Sequence, residues 1–423
     1  MVPTVRLGDM CAVGDGTHST IARQTSGVLY LSSRNIKGRS LDLKKVYYIS
    51  EGDFEKHFGA SRRAITKPLP NDLLFSIIGS IGEPYLVREG DRFGISSSVA
   101  IVRPIPELLS PSYLFYWVKG PVFQSAVRGI RGGVAQGYVS LEMLRSLPVP
   151  KISLGVQRRV ANVLSAYDDL IENNMRRIAI LEEMSRLVFS NFIAEVEAKR
   201  IAVSWQPFGD LVTSSLGGDW GQDARSSEYS DEVAVIRGTD FYGCRTGAIL
   251  DAVPVRYIKP RSLQSRELQP NDLIVEGSIN GKTRAAGTTL MVSAGFLKRL
   301  GRPAIAASFC KVFRFRDAKI AVLSDAMMRW MRERGELAPF QVVAANGIAN
   351  FQTQDFLARA RLPVPKDDKS RNDLCAALLA LQSSYLSDHT ECLQRTRDFL
   401  LPRLLSGDIE VSGLPLPDRA AAE

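Results

Sequence analysis

The stretch most like a reactive site is Gly277–Thr283, GSINGKT, which follows the apolar run NDLIVE. A phosphate-cradling loop needs a Gly five residues before the Gly-Lys-Thr end, so that backbone N–H groups ring the anion and the Lys reaches it. Glu276 stands where that first Gly belongs. The residues that follow, TRAAGTTLMVS, have strand character, so no helix N-terminus is offered to a phosphate. The stretch reads as a tight inter-strand turn. His18 with Asp15 could form an acid–base dyad, but no nucleophile accompanies it. VGDG at Val13–Gly16 is too short for an S-adenosylmethionine loop. No Asn-Pro-Pro-Tyr-like motif for base methylation occurs, nor a carboxylate–carboxylate–lysine nuclease cluster. The three histidines (His18, His57, His389) are far apart, and the five cysteines form no CxxC pair. That argues against a metal site or a disulfide framework and for free thiols in a reducing compartment. The sequence reads as non-catalytic, without a metal or cofactor of its own.

Its polar loops suit a different task. Reading base edges requires side chains that present paired donors and acceptors, chiefly Arg, Lys, Asn and Gln. In the first 150 residues the candidates are Thr17, His18, Arg34, Asn35, Lys37, Arg131 and Gln136. Between 201 and 365 they are Arg237, Lys282, Arg284, Asn346, Asn350 and Gln352. Lys298, Arg299 and Arg302, in LKRLGRP, would suit phosphates. Each alone could be an ordinary solvated loop residue; the argument is collective.

Charge has the same distribution. The chain of 423 residues is net +9. Residues 1–150 carry 18 basic and 12 acidic groups, and residues 201–361 carry 21 and 16. Residues 151–200 are nearly neutral at 8 against 7, and 362–423 are acidic at 7 against 10. Two basic segments separated by near-neutral ones fit a two-headed nucleic-acid binder, although charge of this size also serves solubility.

The elements that must position these residues form a repeat. LPVPK occurs at Leu147–Lys151 and again at Leu362–Lys366, an offset of 215 residues. A heptad seam follows the first copy: Val160, Leu164, Tyr167, Ile171, Asn174, Ile178, Leu181, Ser185, Val188 and Phe192. With no Gly or Pro from Val156 to Phe192, this predicts one long helix with a seam for another. The same offset carries Leu164, Ile171, Ile178 and Ser185 onto Leu379, Leu386, Leu393 and Leu400, and Tyr167 and Asn174 onto Gln382 and His389. The second segment repeats the plan of the first: Pro270–Leu273 answers Pro70–Leu73, and Gly277-Ser278-Ile279 answers Gly79-Ser80-Ile81. The expected organisation is a mixed α+β head at 1–150 and a central helix at 151–200. A second head follows at 201–365, then a second helix at 366–405 and a tail at 406–423. No apolar run is long enough to span a membrane, and no signal peptide is evident, so a cytoplasmic location is expected.

Two variable heads, each followed by LPVPK and a long heptad helix, with FLLPRLLSGDIEV (Phe399–Val411) near the end, resemble the specificity subunit of type I restriction-modification enzymes. Gln157 stands where that family usually has it; Asn372 occupies the matching place in the second copy and departs from the pattern. The resemblance implies two target recognition domains, each reading half of a bipartite double-stranded DNA target. It implies an antiparallel coiled coil of the two helices that sets the gap and docks two modification subunits. S-adenosylmethionine would sit on those subunits, and ATP and Mg on restriction subunits joining through the complex. A non-enzymatic scaffold whose heads bind proteins is the alternative from the residues, separable by salt-dependent DNA binding.

Overall fold

The run VAIVRP at Val99–Pro104 is apolar at all but one position, which suits a strand covered on both faces. It lies inside a sheet, as the computed structural model shows; that model describes residues 3–59, 65–131, 137–248, 250–280, 286–382 and 384–415. In chain order the first part contains β1 (Thr4–Arg6), β2 (Cys11–Asp15), β3 (Val28–Leu31), β4 (Ile36–Lys37), β5 (Ser40–Leu41), β6 (Tyr47–Ile49), α1 (Glu51–Phe58), β7 (Leu73–Ser76), β8 (Pro84–Leu86), β9 (Phe93–Ile95) and β10 (Val99–Pro104). It continues with α2 (Pro111–Lys119), α3 (Pro121–Arg131), α4 (Leu141–Ser146), β11 (Pro148–Pro150) and α5 (Leu154–Glu197). The main sheet has the order β2-β10-β7-β8, beside a smaller β6-β3-β9 sheet and the pair β1-β11.

The second part contains β12 (Val203–Pro207), α6 (Phe208–Leu211), β13 (Val212–Gly217), β14 (Asp231–Ile236), α7 (Phe241–Thr246), β15 (Val255–Ile258), α8 (Pro260–Arg266), β16 (Leu273–Glu276), β17 (Ser278–Asn280), β18 (Thr289–Met291), α9 (Ala294–Leu300), β19 (Ala304–Ala306) and β20 (Cys310–Phe315). Then follow α10 (Ala318–Glu333), β21 (Gln341–Val343), β22 (Ile348–Phe351), α11 (Thr353–Arg359), β23 (Arg361–Pro365), α12 (Asp368–Ala380) and α13 (Ser384–Ser406). Its sheets β13-β20-β16-β18, β15-β14-β19 and β12-β23 repeat the first set, including one antiparallel and one parallel pairing in the three-stranded sheet.

The repeated motifs have local causes. In Pro-Asn-Asp-Leu, Asn71 and Asn271 adopt φ of 70° and 72°, a left-handed conformation that Asn tolerates. The Asp carboxylates then close the turn by accepting from Leu69 N and Gln269 N, both at 2.8 Å. Each also binds an Arg of the central strand: Arg103 Nε lies 2.7 Å from Asp72 and Arg314 Nε 2.8 Å from Asp272. LPVP forms an outer strand in both copies, where proline's missing donor costs no ladder bond.

By contact the chain divides into two units, Met1–Asp168 with Thr396–Glu423, and Asp169–Arg395. The division falls inside α5. The first turns of α5 belong to the first unit's core, where Val160 and Leu164 cluster with Phe75, Tyr113, Phe123 and Leu404. The second core gathers Phe189, Phe192, Phe208, Phe313, Met328 and Phe356.

Three details differ from the sequence reading. Where one helix is expected over 366–405 there are two, α12 and α13, separated around Leu381 and Gln382, where the sequence has no Gly or Pro. Ser278–Asn280 is a strand paired with β22 rather than part of a tight turn. The two heads also align with a 200-residue offset at this point: Gly277 N donates to Phe309 O as Ile77 N donates to Ser98 O, so Gly277 answers Ile77 and not Gly79.

Candidate nucleic-acid interface

In the first unit, turns from five places meet at one end of the main sheet. Thr17 N donates to Ile95 O, and Gly16 N to Val99 O. Ser96 N donates to Leu31 O, Ile77 N to Ser98 O, and Val139 N to Ile77 O. Ser80 Oγ donates to Ser33 O at 3.1 Å, and Ser33 N to Ser98 Oγ at 3.0 Å. This frame holds a polar rim: His18, whose side chain is 74% exposed and lies 2.7 Å from Asp15, with Arg34 and Lys37, both exposed. Ile78 and Tyr138, bridged to each other, are exposed beside it.

The second unit rebuilds the frame's backbone bonds, with Gly238 and Phe309 where the first has the side-chain bonds of Ser33 and Ser98. Gly218 N donates to Cys310 O, Asp219 N to Ala306 O, Ala307 N to Ile236 O, and Phe351 N to Gly277 O. Gly238 is needed here, because a Cβ would run into the Glu276 carboxylate. On the rim are exposed Phe309 and Asn346, whose Oδ1 accepts from Ile348 N.

Several residues read from sequence as base contacts are spent inside the protein. Thr17 and Asn35 are buried. Asn35 closes its own turn, accepting from Ser32 N at 2.9 Å and donating to Asp42 O and Lys45 O. Arg237 folds onto Asp240 and Ala252 O. Asn350 accepts from Ser278 Oγ at 2.7 Å, and Gln352 is half-buried, donating to Asn350 O. Arg299 is the clearest correction. It is locked between Asp388 at 2.9 Å, Glu391 at 3.2 Å and Cys244 O at 2.8 Å, so it faces α13 rather than a phosphate. Its neighbour Lys298 is exposed, and Arg302 pairs with Glu232. Arg131 ends α3, with its side chain outside the described residues; Gln136, Lys282 and Arg284 also lie outside them. The i, i+3 pairs Ser32–Asn35 and Arg237–Asp240 were a sequence signal for self-capped turns.

Of the seam positions, Leu164, Ile171, Asn174, Ile178, Leu386 and Leu393 are buried. Tyr167, Leu181, Leu379 and Leu400 are half-buried, and His389 is exposed. Asp168 and Phe189 are buried where the heptad names Tyr167 and Val188. A straight helix turns every 3.6 residues, so its buried face drifts off a strict 3.5-residue repeat by about one position over several turns. That drift suits Phe189, whereas Asp168 lies between Leu164 and Ile171, which keep their seam positions, and is buried against its own partners. Its Oδ1 accepts from Arg397 Nη1 at 2.7 Å, its Oδ2 from Tyr116 Oη at 2.8 Å, and Arg39 Nη1 lies 3.4 Å away. Burial pushes this carboxyl up, but Arg397, Lys119 and Tyr116 together hold it below the usual carboxylate range. Burial also lowers the Lys119 ammonium. Gln157 is wholly buried and satisfies three backbone groups: it accepts from Ser110 N and donates to Leu108 O and Ile152 O. Its counterpart Asn372 accepts from Lys319 Nζ at 2.8 Å.

Burial raises the thiols of Cys11, Cys244 and Cys310 to about 12, so they stay protonated at neutral pH. Among the described residues no group of three or more His, Cys, Asp or Glu could hold a metal ion, and no helix is long and apolar enough to cross a membrane.

Comparison with known proteins shows what the chain is similar to. Residues 3–183 match the family model of the type I restriction modification DNA specificity domain. That stretch covers the first head and much of α5. The chain is 31% identical over 113 residues to the type I restriction enzyme EcoBI specificity subunit of Escherichia coli, a match covering 26% of this chain and 24% of that one. It is 24% identical over 226 residues to the putative type I restriction enzyme MjaX specificity subunit of Methanocaldococcus jannaschii, covering 49% and 52%. The matched stretches thus span about a quarter and about half of these relatives. In fold the chain is similar to the type I restriction-modification system S subunit from M. genitalium, with a TM-score of 0.58 at 13% identity over 96% of each chain.

Proposed function

We propose that this chain is the DNA specificity subunit of a type I restriction-modification complex. Each head reads one half of a bipartite double-stranded DNA target. The helices act as an antiparallel spacer that sets the unread gap. Two modification subunits, carrying S-adenosylmethionine, methylate adenine where the heads direct them; restriction subunits with ATP and Mg join through the complex. This chain contributes address and architecture and no catalysis.

The observation that carries this reading is the duplicated loop frame. One hydrogen-bonded scaffold, present in both units, displays different side chains: His18, Arg34 and Lys37 on one, Phe309 and Asn346 on the other. A constant frame with variable tips suits two readers of two sequences. Docking is better placed on a second stripe of α5 than on the buried seam. Ile180, Met184 and Leu187 follow i, i+4, i+7 spacing and are 58%, 46% and 51% exposed.

The test is to express the chain with its modification subunit in a methylation-free host and map adenine methylation. A single split motif with a fixed gap supports the reading. An intact, competent complex that leaves no new methylation overturns it and favours the protein-binding scaffold.

A further inference from the structure

Holding a fixed gap is a demanding mechanical task. Changing the gap by one base pair moves a half-site by about 3.4 Å along the duplex and by about a tenth of a turn around it. A head that rejects such a site must be fixed to its helix against both sliding and rotation. Apolar packing resists this poorly, since repacked cores lose uniqueness before they lose stability. Buried charge pairs are the reverse: they add little stability but impose a definite geometry.

Each unit has an ion pair between its recognition segment and α5, with Asp168 buried in the first and Arg245 and Glu182 partly exposed in the second. In the first, the segment after β3 and its Ser33–Asn35 turn carries Arg34 and Lys37, and then Arg39. Arg39 reaches Asp168 on α5, 3.4 Å away, and Arg397 of α13 holds the same carboxylate from the helix side. In the second, the segment after β14 and its Gly238–Asp240 turn is α7, which carries Arg245. Arg245 Nε lies 3.8 Å from Glu182 Oε1 on α5. The 215-residue repeat relates Glu182 to Arg397, the cation that holds Asp168 from the helix side, rather than to Asp168 itself. Around Arg245 the fit is close. Ser387 Oγ of α13 donates to Arg245 O, and Gly247, at φ 76°, has no room for a Cβ against the Ser387 carbonyl. Burial disfavours the charged form of Arg245, and Glu182 opposes that.

We propose that Asp168 and Glu182 are positioning residues for gap selection: through Arg39 and Arg245 they clamp the recognition segment of each head to the spacer helix. The clamp rests on the bipartite reading given above. It predicts which substitutions loosen the gap without altering the bases read. Arg39→Met and Arg245→Met remove one arm each and leave the Asp168–Arg397–Tyr116 contacts in place, so the chain keeps its fold.

The experiment maps methylation by complexes of the chain with its modification subunit, and compares sites whose half-sites match but whose gap is one base pair longer or shorter. For either variant the ratio of off-gap to correct-gap methylation is expected to rise roughly tenfold, equivalent to about 1.4 kcal/mol of lost discrimination. Both half-site sequences stay unchanged and the melting temperature stays within a few degrees. Arg39→Lys, which keeps a cation opposite Asp168, restores the original ratio. An unchanged ratio, or a fall in methylation that is equal at every gap, overturns the clamp while the split motif of the unaltered chain keeps the bipartite reading standing. If the unaltered chain gives no split motif, both fall together.

Discussion

Asn174 Nδ2 lies 3.4 Å from His389 Nδ1, and these are the two positions that the 215-residue repeat makes equivalent. A contact between equivalent positions is self-complementary, and it places a polar pair in a seam otherwise built from Ile171, Ile178, Leu386 and Leu393. A buried polar seam residue fixes register at a cost in stability. Asn174→Leu is therefore expected to stabilise the chain by about 1 kcal/mol, raising the melting temperature by about 2–4 °C for a unit of this size. Thermal unfolding monitored by circular dichroism checks this; a lower melting temperature would mean that the pair is net stabilising.

Gln157 makes a different kind of contribution. It is fully buried and its three hydrogen bonds all go to backbone groups that have lost water. Gln157→Ala leaves Ser110 N–H and the Leu108 and Ile152 carbonyls short of partners, at about 3 kcal/mol. Urea unfolding should show a midpoint shift with an unchanged slope. A loss below about 1 kcal/mol would indicate that water replaces the amide.

The parts of this architecture that are local in sequence were legible, and the rest were not. The Pro-Asn-Asp-Leu turns and LPVP strands owe their shape to neighbours a few residues away. The seam was legible as a pattern, but its phase was not: nothing in a heptad count says that the helix stays straight enough to bury Phe189, or that Arg397 and Tyr116 meet Asp168. Arg299 looked like a phosphate ligand because its partner Glu391 is 92 residues further on. The break between α12 and α13 carries no Gly or Pro, so only tertiary packing could reveal it.

Asp168 gives the chain an acid-sensitive contact. Its carboxyl is held below the ordinary range in the folded state, so it stabilises the fold at pH values above its unfolded pKa. That stabilisation is lost as pH falls through the lower, folded value. The stability difference between the unaltered chain and Asp168→Asn should be constant from about pH 7 to pH 5 and should shrink below about pH 4. A difference that persists unchanged at pH 3 would show that the carboxylate's charge is not what Arg397 and Arg39 respond to.

The exposed stripe on α5 separates docking from folding. Ile180→Glu with Leu187→Lys alters only exposed side chains, and surface changes of this kind stay within about 0.5 kcal/mol. The doubly substituted chain should therefore melt normally yet fail to copurify with its modification subunit. Normal copurification would move docking to another face.

Arg34 and Lys37 provide the corresponding test for DNA. Both are exposed on the rim of the first head, beside the bonded turns that hold Thr17 and Ser33 in place. Reversing one of them should act according to what it touches. If Lys37 meets a phosphate, Lys37→Glu weakens binding to every sequence and lowers the slope of log affinity against log salt by about one. If Arg34 meets a base edge, Arg34→Glu costs about 1–3 kcal/mol at the cognate half-site and relaxes the preference at one base position. Binding titrations at several salt concentrations, on cognate and scrambled duplexes, distinguish the two. Wild-type affinity and slope in both variants would remove Arg34 and Lys37 from the DNA interface and shift attention to the turns around Ile78 and Tyr138, also exposed on the same frame.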